Sequence, residues 1–232
     1  MFSPRLALIL LATMMSQASA ATYSSLQINP TSVTLDAEHT VGQVTMNSLS
    51  AQNVIFDLAA VSWSQDGDKD EFMPQNTLAI VPPVYEIAAF RAMLVRVGLR
   101  EPPHDVETER AFQIRFREVV PPQSSSEART LIAPIFIAPG ERKGDVRYAL
   151  VRSGSLHATL HVDDDANVHA YLGRLTIRSG GNVAYSGTLD EYILAGNSRS
   201  FSLSLEHSIE GPSAEISIKN GDEEQTVSAA VR

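Results

Sequence analysis

Apolar and polar positions alternate in short runs along most of this chain. Asn53 to Trp63 (NVIFDLAAVSW), Met93 to Leu99 (MLVRVGL) and Phe112 to Val119 (FQIRFREV) each follow a period of two. So do Leu156 to Val162, Tyr171 to Ile177, Phe201 to Leu205 and Ala214 to Ile218. Shorter runs begin at Leu26 and at Val33. Side chains of a strand point alternately to opposite faces, so this pattern predicts half-buried strands. No segment shows a convincing helical period, and Tyr85 to Met93 is ambiguous.

Turn signals separate the runs: Asp66-Gly67, Pro82-Pro83, Pro102-Pro103, Pro121-Pro122, Gly180-Gly181, Gly196-Asn197 and Asn220-Gly221. Many short strands at such spacing predict an all-β fold of sandwich type. A polar, glycine-bearing stretch after a proline, Pro139 to Gly144, is the best domain boundary. The expected organisation is a leader at residues 1–20, one domain over 21–140 and another over 141–232.

The leader is read from Arg5, an apolar run from Leu6 to Met15, and the small-x-small site Ala18-Ser19-Ala20. That is the three-part pattern of a secretory signal peptide, and its apolar run falls short of a bilayer span. The expected location is the periplasm, without stable membrane insertion.

Composition sharpens this picture. The chain carries a formal net charge of −9, which argues against nucleic acid as a partner. It has no cysteine, so thiol nucleophiles and cysteine metal ligands are excluded, and core packing must hold the fold. No G-x-S-x-G occurs and no acidic pair has catalytic spacing, so an enzyme is not expected.

Two clusters invite a metal reading. His157, His161 and Asp163 share one face of a strand if alternation holds, with His169 across a turn. Strand residues four apart lie about 13 Å from each other, too far for one ion, so a solvated polar face is the expectation. Asp66 to Asp70 imitates a calcium loop but has Glu71 and Thr77 where that loop needs glycine and glutamate, so a hairpin turn is expected. Neither a metal nor a cofactor is predicted. Trp63 is expected in the core of a sandwich.

Several segments then fall into an order. NVIFDLAAVSWSQDGDKDEF leads into LAIVPPVYEIAAFRAMLVRVGL; ETERAFQIRFREVVPP precedes a last strand, RTLIAPIFIAPG. This order resembles the periplasmic chaperones of the chaperone–usher pathway, most nearly the archaic type serving spore-coat-like pilins. The likeness covers most of residues 26–139 and is weaker beyond. It implies two immunoglobulin-like domains set at an angle. It also implies a function: capture of pilin-like subunits by lending them a strand, then delivery to an outer-membrane usher, without a nucleotide. Glu109 matches a family glutamate that joins an inter-domain ion-pair network.

The resemblance also marks departures. Many members grip a subunit's C-terminal carboxylate with an arginine of the first strand and a lysine of the donor strand. Those positions are here Ser32 and Pro134. Arg96, Arg115 and Arg129 are the candidates for replacing that grip. The donor segment, Arg129 to Ile137, turns apolar only at Leu131. Leu131, Ala133 and Ile135 share one face; Ile132, Pro134 and Phe136 share the other. The residues expected to meet the subunit are Ser32, Arg129, Leu131, Ala133, Ile135 and Ile137. Self-association through the free edge strand stays open, as do a fibre component and a metal-binding protein as alternative readings.

Overall fold

The structure is a computed structural model that describes residues 26–121 and 127–232. The leader at residues 1–20 lies outside the described residues. Among those described, seventeen strands and no helix occur, and no helix is long and apolar enough to cross a membrane.

The chain opens with β1 (Leu26–Asn29) and β2 (Val33–Leu35). These two belong to different sheets: β1 pairs antiparallel with β3 (Val41–Ser48), and β2 runs parallel to β10 (Thr130–Ile137). The first sheet has the order β1-β3-β8-β6, with β6 at Leu78–Val81 and β8 at Ala92–Leu99. The second has the order β2-β10-β9-β4-β5, with β4 at Val54–Asp66, β5 at Lys69–Pro74 and β9 at Arg110–Glu118. A short strand β7 (Val84–Ile87) also pairs with β4.

Between these sheets lies one core. Leu26, Val44, Met46, Val95 and Val97 face it from the first sheet. Phe56, Leu58, Phe112, Ile114, Phe116, Ala133, Ile135 and Ile137 face it from the second. The alternation predicted for β4, β8 and β9 is the alternation of this burial.

Seven strands follow: β11 (Val146–Arg152), β12 (His157–Asp164), β13 (Ala170–Ser179), β14 (Asn182–Ile193), β15 (Ser198–Ser204), β16 (Ser213–Asn220) and β17 (Glu223–Val231). Their order is β14-β13-β16-β17-β11-β12-β15. A two-pair parallel contact, Ala149 with Ala230 and Leu150 with Val231, joins the two arms. Leu150, Leu160 and Val162 of one arm meet Leu172, Leu175, Ile177 and Ile216 of the other in a second core.

The hairpin turn expected at Asp66-Gly67 is present, and the turn signals at Gly180-Gly181 and Asn220-Gly221 also close hairpins. Asp66 pairs with Lys69, Ser179 with Asn182, and Asn220 with Glu223. Gly67, Gly180, Gly181 and Gly221 adopt positive φ there, the conformation two-residue hairpin loops require.

Trp63 departs from expectation. It is buried, but in a third cluster with Phe136 of β10 and Leu194, between the two cores. It sits on the outer face of its own sheet, opposite in parity to Val54, Phe56, Leu58 and Ala60, which face the first core. The second domain covers that face.

Candidate functional site

The last strand of the first domain has one side engaged and the other partly open. Strand β10 pairs with β9 along its whole length, from Thr130 opposite Arg117 to Ile137 opposite Arg110. Strand β2 covers only Ile135 to Ile137. Among the described residues, no strand pairs with Thr130–Pro134 on that second side.

The direction of the backbone groups follows from two bonds. Glu118 N–H donates to the Arg129 carbonyl at 2.8 Å, so position 129 points toward β9. Ala138 N–H donates to the Leu35 carbonyl at 2.9 Å, so position 138 points toward β2. Antiparallel pairs alternate between the two orientations, so even-numbered residues of β10 turn their backbone groups away from β9. Thr130 and Ile132 therefore present an N–H and a C=O each at the open edge. Pro134 has no N–H to offer, which suits an edge strand, and its carbonyl lies where β2 begins at Val33.

The side chains of β10 sort by the same parity. Ala133, Ile135 and Ile137 are wholly buried in the first core, and Leu131 packs against it. The opposite face carries Thr130, Ile132, Pro134 and Phe136. Ile132 is 48% exposed, whereas Phe136 is covered by the second domain.

Arg129 lies in register with Glu118. Its Nε and Nη2 donate to the two carboxylate oxygens at 2.7 and 3.1 Å, a bidentate pair. That arginine holds the Glu118 carboxyl below its ordinary range, chiefly through the side-chain hydrogen bond. Arg96 is exposed on the opposite sheet. Arg115 lies over the ring of Phe72, 4.2 Å from its centre, and its Nε is buried without a hydrogen-bond partner among the described residues.

Beside the open edge is a cleft between the domains. Ser32 and Pro134 both line it, with Trp63, Gln113, Ile132, Tyr171, Tyr192 and Asp190. The two positions that the resemblance singles out for a carboxylate grip thus do converge. Burial pushes the Tyr192 phenol up.

The joint below the cleft is well connected. The Glu109 carboxylate, 5% exposed, accepts from the backbone N–H of His169 at 3.1 Å and from its Nδ1 at 2.7 Å. A carboxylate acceptor fixes the proton on Nδ1. The imidazole stacks on Phe136. Gln65 of β4 donates to the Tyr192 carbonyl at 2.9 Å and accepts from Leu194 N–H at 2.8 Å. Arg199 reaches the Asp68 carbonyl and the Asp70 carboxylate from the second domain. The resemblance marks Glu109, and the sequence marks His169 only as a metal candidate and Phe136 only as part of the donor strand. Gln65 and Arg199 look like ordinary strand-surface residues until the second domain covers them.

The histidines do not come together. His161 bonds Ser200 at 2.8 Å, Asp163 pairs with Arg147 at 2.7 Å, and His169 lies in the joint.

Comparison with known proteins follows from this architecture. Residues 25–136 match the model of the family described as pili and flagellar-assembly chaperone, PapD N-terminal domain. No curated protein matches the chain in sequence. Among solved structures, a chain of the CsuC–CsuE chaperone–tip adhesion subunit pre-assembly complex from archaic Csu pili of Acinetobacter baumannii has a TM-score of 0.64 at 15% identity. The match covers 90% of this chain and all of that one. The Escherichia coli chaperone DraB has a TM-score of 0.59 at 14% identity, covering 90% and 97%. The Salmonella enterica complex of SafA pilin with the SafB chaperone contributes a match with a TM-score of 0.59 at 12% identity, covering 90% and 98%. These likenesses extend over both domains and are likenesses of fold.

Proposed function

The first domain of this chain belongs to the pili and flagellar-assembly chaperone family, and from that premise we propose a periplasmic chaperone that captures pilin-like subunits and passes them to an outer-membrane usher. The family is one of assembly chaperones, not of enzymes. The observation that carries the reading is the open edge at Thr130–Pro134 on a domain of this family.

The physical argument concerns two incomplete sheets. A subunit lacking a strand exposes a row of backbone donors and acceptors and an apolar groove, which invites aggregation. The edge of β10 supplies backbone groups from Thr130 and Ile132 to such a row. Strand addition of this kind draws affinity from the backbone ladder and specificity from alternate side chains. Ile132 is the large apolar side chain on the outward face of the open stretch. Leu131, Ala133, Ile135 and Ile137 contribute differently: their burial fixes the strand in the first core, so that the edge is held ready. Arg129 is spent on Glu118 and positions the start of the strand. Because exchange replaces one strand pairing by another, no cofactor enters.

Co-expression with a pilin-like subunit tests the reading. The subunit is expected in soluble form only when this protein accompanies it. A subunit equally soluble alone would contradict the proposal.

A further inference from the structure

The cleft beside the open edge carries a chemistry opposite to a carboxylate grip. Among the described residues that line it there is no lysine or arginine, and His169 is the one imidazole. Its walls are aromatic: the Tyr171 and Tyr192 rings lie 4.6 Å apart, and Trp63 meets Tyr192 edge-on at 5.7 Å. Asp190 stands at its rim, exposed, and accepts a hydrogen bond from the Tyr171 hydroxyl at 3.0 Å. Glu191 is half-buried there and paired with Arg199.

Two polar atoms in the wall lack partners. Gln113 is 6% exposed and Trp63 is 7% exposed, and both line the cleft. The Oε1 of Gln113 and the Nε1 of Trp63 have no hydrogen-bond partner among the described residues. Of the two only Gln113 Oε1 is an acceptor; its unpaired burial costs about 1–3 kcal/mol, which a bound donor would recover, whereas the Trp63 indole N–H is a donor that a cation leaves unpaired.

Resting on the chaperone reading, we infer that this cleft receives a basic side chain of the client segment, an arginine or lysine, rather than a terminal carboxylate. The Asp190 carboxylate supplies the countercharge, Gln113 Oε1 an inner acceptor, and the tyrosine pair a π face for the cation. A carboxylate would meet Asp190 with like charge and find Ser32 and Pro134 where a cationic grip would stand. The client strand beside Ile132 and Pro134 leads into the cleft, since both residues line it.

Trp63 is the chain's only tryptophan, so its emission reports occupancy of this wall. The full chain is titrated with Nα-acetylarginine amide and, separately, with Nα-acetylleucine, whose only charge is a carboxylate. Asp190 has a φ of 53°, a conformation asparagine tolerates, so Asp190→Asn removes the charge and keeps the turn. A saturable emission change is expected with the arginine amide and none with acetylleucine. Asp190→Asn should weaken the response by about five-fold or more. Gln113→Met should weaken it as well, with an unchanged circular dichroism spectrum. A response to acetylleucine, no response to the arginine amide, or one indifferent to both variants would overturn the inference. Subunit capture is scored separately. Wild type that retains a subunit without binding arginine amide sinks this inference alone. Wild type that binds the amide and retains no subunit sinks the chaperone reading.

Discussion

The imidazole of His169 lies nearly flat on the ring of Phe136, with 3.8 Å between centroids and 18° between planes. One ring belongs to the second domain and the other to strand β10. The same imidazole gives its Nδ1 proton to Glu109 of the first domain. The orientation of β10 relative to the second domain therefore rests on a stacked pair backed by a buried carboxylate.

Glu109→Ala should loosen that joint. It leaves two donors of His169 without an acceptor in a half-buried place, at a cost of about 1–3 kcal/mol. Urea unfolding followed by Trp63 emission measures it, because Trp63 shares a cluster with Phe136. A variant as stable as wild type would show that the pair contributes nothing.

Gln65→Glu is a nearly isosteric test of the second tie. The Gln65 amide donates to the Tyr192 carbonyl and to Asp70 while its oxygen accepts from Leu194 N–H. A carboxylate keeps the last bond and sets an acceptor against two others. We expect a loss of about 1–3 kcal/mol in the same unfolding measurement, since Gln65 itself is buried and its replacement leaves the Tyr192 carbonyl without a donor.

Asp164 gives a pH dependence. Its carboxyl is buried beneath the turn that leads to Ala170, and one oxygen accepts from Ala166 N–H while the other has no partner among the described residues. Burial pushes it up from 3.8 to about 6, against the pull of backbone donors, His169 and Arg142. The folded state thus holds this proton more tightly than the unfolded chain does. The penalty is absent below about pH 4, grows as pH rises through the interval to 6, and is complete above it. Asp164→Asn should exceed wild type in stability by about 1–2 kcal/mol at pH 7.5, with the difference vanishing near pH 4. Unfolding curves at both pH values decide it; a constant difference would contradict the assignment.

Ile135→Ala and Ile132→Ala separate the two faces of β10. Ile135 is wholly buried, and its truncation should cost about 2–5 kcal/mol. Ile132 is half exposed, and its truncation should change stability by about 0.5 kcal/mol or less. Melting temperatures compare them directly.

That contrast also shows where the sequence runs silent. Strands β4, β8, β9 and β13 were legible because one face meets a core and the other, away from the joint, is more open. Strand β10 reads LIAPIFI, apolar on both faces, because one faces the first core and the far end of the other faces the second domain. Period-two reading finds such a strand but cannot say which face is outward. Strands β14 and β17 gave little signal, since small and polar residues such as Ser186, Gly187, Ser228 and Ala229 make up much of them. Trp63, Gln65 and Arg199 act across the joint, between positions more than a hundred residues apart for the Gln65 and Arg199 bonds, and no local pattern encodes that.

The measurement that bears most directly on the capture edge compares three proteins in one assay: wild type, Ile132→Asp and Thr130→Pro, each co-expressed with a pilin-like subunit and read by native mass spectrometry. Ile132→Asp places a charge on the outward face, and Thr130→Pro removes an edge N–H without touching the bonds to β9. Wild type is predicted to carry one subunit, and both variants to fold normally and lose it. Variants that fold and keep the subunit as wild type does would contradict the assignment of the Thr130–Pro134 edge.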